Sequence, residues 1–257
     1  MKQKEQELLI YNNSIDFNFK DFSQEYLVEI TIDEDEEILN TVTYKTHISY
    51  TKEYRDPYFL AEVNFSDFLL NGKMTESLMQ TIAVECGKAI DTCVFQINSS
   101  NEIIDLDNHK QILEKWHILK QRIMQENEGE TVEKFITHFE INLFDKVLLL
   151  KKLRKNIFIN QYFYPIFDEP YHGFKKKNVE TFDFFDVEYK EDVLIEINNE
   201  GTFDENEYFT LTKKVITNQK NTIQNYQTNY ILDKNKSIKK IEGEFLNDNR
   251  KYSYNIR

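Results

Sequence analysis

The stretch "TVTYKTHISY", residues 41–50, alternates one kind of side chain with another. Val42, Tyr44, Ile48 and Tyr50 fall on one face, and Thr41, Thr43, Lys45, His47 and Ser49 fall on the other. A period of two marks a strand with one buried and one wet face, which an antiparallel sheet provides and a doubly wound parallel sheet does not. Its neighbours behave alike. "YLVEITI" (26–32) sets Tyr26, Val28, Ile30 and Ile32 in register, and the charged "DEDEEILN" between the two reads as a hairpin-like turn. After Pro57, "YFLAEVNF" places Phe59, Ala61, Val63 and Phe65 on one side. Three successive strands with short links predict an antiparallel meander.

The middle of the chain changes period. "TESLMQTIAVECGKAIDTC" (75–93) groups Leu78, Ile82, Ala89 and Cys93 near one stripe beside Met79, Ala83, Cys86 and Ile90, which predicts a helix despite Gly87. "VFQINSSNEIIDLD" reads as a hairpin turning at Ser99, Ser100 and Asn101. "HKQILEKWHILKQR" (109–122) then brings Ile112, Trp116, Leu119 and Ile123 onto one seam, with Asn108 and Gln111 placed for a capping-box variant. A further helical region runs from about Thr131 to Lys155, broken near Asn142–Asp145, with Phe135, Phe139, Leu143, Val147 and Leu150 marking its buried side. "NQYFYPIFDEPYHGFKKKN" (160–178) carries two of the three prolines and reads as a long connection. Strands return afterwards in "DVLIEIN", "YFTLTKKVIT", "NYILDKNKSIKKIEGEF" and "FLNDNRKYSYNI", the last two with Asn- and Asp-rich hairpin turns.

Strands, then helices, then strands define an α+β class. The expectation is a large antiparallel sheet of about seven to nine strands, drawn from the N- and C-terminal thirds and able to curl around a central segment of three to four helices. It is a single domain over residues 1–257, with the helical segment about 75–165 inserted between the strand regions. Two domains split near 165–180 are the competing arrangement.

Charge and composition narrow the function. A net charge of −13 repels nucleic-acid backbones and anionic membrane surfaces and suits a basic partner. The 20 Phe and 15 Tyr supply apolar surface in plenty, although an A/T-rich coding sequence accounts for them better than an aromatic binding surface does. Two cysteines make no disulfide scaffold, and the start "MKQKEQELLIYNNS" has no apolar core of signal-peptide length. No run approaches a membrane span, so a cytoplasmic location is expected.

The chemistry-bearing residues have plain structural readings. His109 and His117 are roughly 12 Å apart along one helix, too far to share a metal. His138 and Glu140 in "THFEIN" follow the H-x-E order of zinc deaminases, but the P-C-x-x-C pair that completes such a site is missing. No HExxH, P-loop, GxSxG or GxGxxG pattern occurs. Asp33, Asp35 and Glu37 open like a calcium loop, yet Ile38 stands where Gly is required and Tyr44 where Glu is required. Asp105 and Asp107 are a carboxylate pair for which helix capping is the simpler role. No cofactor or metal is implied.

These readings favour a non-enzymatic cytoplasmic protein-binding protein: an immunity, adaptor or assembly-type partner of a basic protein surface. Its possible interface is the aromatic connection with Tyr162, Phe163, Tyr164, Phe167, Tyr171, His172 and Phe174. The alternatives are a carrier of an apolar small ligand in a sheet–helix cavity, and a hydrolase assembled in space from Asp105, Asp107, Glu140 and histidines.

Overall fold

The alternating stretches pair with one another into a single sheet. A computed structural model describes residues 22–34, 37–51, 58–74, 77–166, 175–184, 187–197, 204–205, 207–215, 223–247 and 249–257. Its strands are β1 (Ser23–Glu34), β2 (Glu37–Thr51), β3 (Phe59–Leu70), β4 (Thr92–Ile97), β5 (Ile103–Leu106), β6 (Lys175–Phe184), β7 (Val187–Ile197), β8 (Tyr208–Val215), β9 (Ile223–Asp233), β10 (Ile238–Asn247) and β11 (Arg250–Ile256). They form an 11-stranded antiparallel sheet in the order β5-β4-β3-β2-β1-β11-β10-β9-β8-β7-β6. The first and last strands of the chain meet at its centre, with Val28 opposite Ile256 and Ile30 opposite Tyr254. The period-two reading passes over β6, because its opening lysines look like the end of a connection.

Between β3 and β6 lie the helices α1 (Leu78–Gly87), α2 (His109–Glu126), α3 (Glu130–Phe144), α4 (Lys146–Leu153) and α5 (Ile157–Tyr162), with a 3-10 turn over Lys88–Ile90. They are more numerous than the three or four expected, because the segment read as a connection begins inside α5.

Three local expectations are corrected. The first helix stops at Gly87, and Cys93 belongs to β4, opposite Val63. The weak helix former Gly87 and the switch to alternation at Cys93, Phe95 and Ile97 explain the early end. Asn108 stands at the start of α2 without capping it. Its side-chain oxygen accepts from Val94 N–H at 2.8 Å and its amide donates to Thr92 C=O at 3.0 Å, so it ties the helix to β4 instead. The capping box forms at α1, where Ser77 and Gln80 satisfy each other's backbone N–H groups. Val147 is exposed rather than buried. The Asp145 carboxylate accepts from Val147 and Leu148 N–H and starts α4 in a new direction, which rotates Val147 off the face carrying Leu143. The break near Asn142–Asp145 is where the sequence puts it.

The core lies between the helices and one face of the sheet. Ile112, Trp116, Leu119 and Ile123 of α2 are all buried, as their seam predicts. The short α5 is the plug. Phe158 and Tyr162 stack at 5.1 Å and meet Tyr26 of β1 at 5.7 and 5.5 Å, while Phe163 meets Phe95 of β4 at 5.7 Å. The Tyr26 hydroxyl crosses the sheet to donate to Ile238 C=O at 2.7 Å. The opposite face carries Glu25, Glu29, Lys45, His47, Glu242 and Glu244, with Arg257 paired to Glu29 at 3.0 Å and Lys251 to Glu244 at 2.7 Å.

Candidate functional site

Most of the residues that the sequence singles out have a place in this frame. His109 contacts Leu143 C=O through its Nε2 at 2.8 Å and ties α2 to α3. His117 and His138 are exposed on α2 and α3. Glu140 turns inward to accept from Trp116 Nε1 at 2.9 Å and from Lys120 Nζ at 2.8 Å. It therefore does not join His138. Asp105 pairs with Lys146 at 2.5 Å, and Asp107 accepts from Gln96 at 2.7 Å, so the two carboxylates serve different neighbours. Among the described residues no cluster of three or more His, Cys, Asp and Glu side chains is arranged to hold a metal; Asp35 lies outside them.

Both cysteines are buried and free. Burial, helped by Glu85, pushes the Cys86 thiol up to about 11; burial and Asp91 push Cys93 up to about 12. A thiolate is the reactive form, and at pH 8 roughly one Cys86 in a thousand carries it. An aromatic disulfide reagent at pH 8 should therefore label the native protein by less than about a tenth of an equivalent, and both thiols in denaturant. Fast native labelling would contradict this burial.

The aromatic segment divides. Tyr162, Phe163 and Tyr164 are buried against the sheet within this chain, while Phe167, Tyr171, His172 and Phe174 lie outside the described residues. Around Tyr164 is a group of residues that sequence reasoning missed. Lys213 of β8 is only 1 % exposed. Its Nζ sits 3.7 Å from the Tyr164 ring centre and donates to Gln161 Oε1 at 3.2 Å. The same oxygen accepts from Tyr230 at 3.0 Å and from Tyr226 at 3.4 Å. Thr228 donates to Tyr226 OH at 3.0 Å and shares a 2.5 Å hydrogen bond with Tyr254 OH.

Strand register explains this convergence. Lys213 lies opposite Thr228, Thr228 opposite Gly243, and Gly243 opposite Tyr254, so one rung crosses β8, β9, β10 and β11. Gly243 has no side chain, and the Tyr254 ring lies over it to reach Thr228. Burial raises the Tyr226 and Tyr254 hydroxyls well above the usual tyrosine range. The sequence carries one signal for this cluster: Lys213 occupies the apolar register set by Phe209 and Leu211. The cluster is a hydrogen-bonded brace between α5 and the C-terminal strands, and it is too buried to receive a partner protein.

One outward-facing feature is on α3. Glu130, Glu133, Lys134, Thr137, His138 and Ile141 line a shallow surface groove of about 410 Å3. At its end the chain turns into α4 and presents Ile141 at 59 % exposure, Phe144 at 57 % and Val147 at 79 %. Three large apolar side chains standing in water within one helical corner are uncommon on a surface that meets nothing. No helix among the described residues is long and apolar enough to cross a membrane.

Fold and surface together define an α+β protein with an open antiparallel sheet, a helical layer and a partly apolar helical corner. No known protein family and no curated protein matches the chain.

Proposed function

We propose that this chain is a non-enzymatic protein-binding protein whose partner presents a basic surface. The observation that carries the reading is the exposed corner of Ile141, Phe144 and Val147 at the end of a groove edged by Glu130 and Glu133, on a chain of net charge −13. An apolar centre with charge at its margin is the usual anatomy of an interface. The corner supplies the dry contact, and the chain's net charge of −13 supplies steering for cationic side chains. An immunity, adaptor or assembly-type role fits such a surface.

The location differs from the one the aromatic segment suggested, because Tyr162, Phe163 and Tyr164 are used inside the fold. The experiment is native mass spectrometry of the protein purified gently, at low salt, from its own source. A second polypeptide at fixed stoichiometry is expected. It should be lost from Ile141→Asp and Phe144→Asp variants, each weakening the complex at least about tenfold, equivalent to about 1.4 kcal/mol. Both positions are exposed, so the variants should keep the parent's thermal stability. A bare 31.0 kDa chain would overturn the proposal; a surplus of a few hundred daltons would favour the ligand-carrier reading instead.

A further inference from the structure

The two edges of the sheet are finished differently. At one edge β5 is 4 residues long, and Arg154 covers it by donating to Ile103 C=O at 2.6 Å. At the other edge β6 spans 10 residues and, among the described residues, pairs on one side only, with β7. A long strand with one unpaired row of backbone groups is a template for another chain.

We propose that the β6 edge pairs with the β6 edge of a second copy of this chain, antiparallel about a two-fold axis at Val179. The reason lies in how charge is ordered along "KKKNVETFDF". Lysine on an edge strand ordinarily discourages pairing. Here the lysines occupy only the first three positions, and Glu180 and Asp183 occupy the second half. Antiparallel self-pairing therefore sets the basic end of one copy along the acidic end of the other. With the axis at Val179, Lys175 stands opposite Asp183, Lys177 opposite Thr181 and Asn178 opposite Glu180. Moving the axis one residue on, to Glu180, would set two glutamates opposite each other, and like charges directly opposite destabilise a strand pair. Charge order thereby favours an axis on the lysine side of Glu180, and an isologous contact of this kind closes at two copies.

Size-exclusion chromatography with light scattering on the full chain tests this. The wild type at tens of micromolar should show twice the 31.0 kDa mass of one chain. A Lys175→Glu/Lys176→Glu/Lys177→Glu variant gives an edge whose charges are all acidic, and a Glu180→Lys/Asp183→Lys variant one whose charges are all basic. Each alone should be monomeric, with a dimer dissociation constant raised at least about tenfold, and an equimolar mixture should recover the doubled mass. A wild type that stays at 31.0 kDa would overturn the proposal. So would variants that remain dimeric alone, or monomeric variants whose mixture fails to associate.

Discussion

Replacing Gly243 by alanine is expected to destabilise the protein by about 2–3 kcal/mol or more, the cost of forcing extra carbon into a packed interior. A Cβ at this position would lie 2.3 Å from the Tyr254 hydroxyl oxygen, 2.4 Å from its Cζ and 2.8 Å from the backbone oxygen of Gln227. The first two atoms can retreat only by lifting the ring, which breaks the 2.5 Å contact with Thr228. The third belongs to the neighbouring strand and cannot yield without distorting the β9–β10 pairing. The glycine is required for space, not for an unusual backbone conformation. At about 2–4 °C per kcal/mol for a chain of this size, the melting temperature should fall by roughly 5–10 °C. The sole tryptophan, Trp116, is buried and reports unfolding by its fluorescence. Adding Tyr254→Ser removes the clash, so the double variant should lose at least about 1 kcal/mol less than the two single losses added together. Strict additivity would show that the ring over Gly243 is not the obstacle.

Gln161→Leu is the second large effect. Leucine fills similar space but removes the oxygen on which Lys213, Tyr226 and Tyr230 converge. A buried donor left without its acceptor costs about 1–3 kcal/mol, more when it is charged. Lys213, Tyr226 and Tyr230 each lose one of their contacts, and the expected loss is about 2–3 kcal/mol. Gln161→Glu retains an oxygen at the same place and should cost less than half as much. The comparison is made by urea denaturation. A shifted midpoint with an unchanged slope for Gln161→Leu would place the effect in the native state. Equal losses for the leucine and glutamate variants would mean that the oxygen is not the group that matters.

The architecture was legible because period-two and helical patterns are local. Val42, Tyr44, Ile48 and Tyr50, or Ile112, Trp116, Leu119 and Ile123, declare a buried face from a handful of neighbouring positions. Their order along the chain gives the α+β class. Boundaries were harder where two patterns overlap. Cys93 satisfies the helical stripe of residues 75–93 and also the alternation of β4, and its pairing with Val63 decides between them. Asn108 sits where a cap belongs, yet β4 offers its amide both a donor and an acceptor, and the strand wins.

The candidate interface on α3 was only partly visible. Ile141, Phe144 and Val147 look like core residues in any window, and the helical pattern puts Val147 on the buried side. It is exposed because Asp145 redirects the chain, which changes the side that faces the sheet. Tyr162, Phe163 and Tyr164 went the other way. In sequence they crowd a proline-interrupted segment, but α5 carries them onto Tyr26, Phe95 and Tyr230.

The sequence by itself determined most of the strands and helices, most of their apolar faces, and the net charge of the chain. Each of these follows from side chains within a few positions of one another. The tertiary structure alone decided which apolar faces meet, and so which aromatic residues are buried and which stand in water. It also decided that Lys213, Thr228, Gly243 and Tyr254, spread over 42 positions of sequence, share one rung under Gln161. The physical reason is register. Local pattern fixes the face on which a residue stands, but its neighbour across the sheet is set by strand pairings that connect residues far apart in the chain.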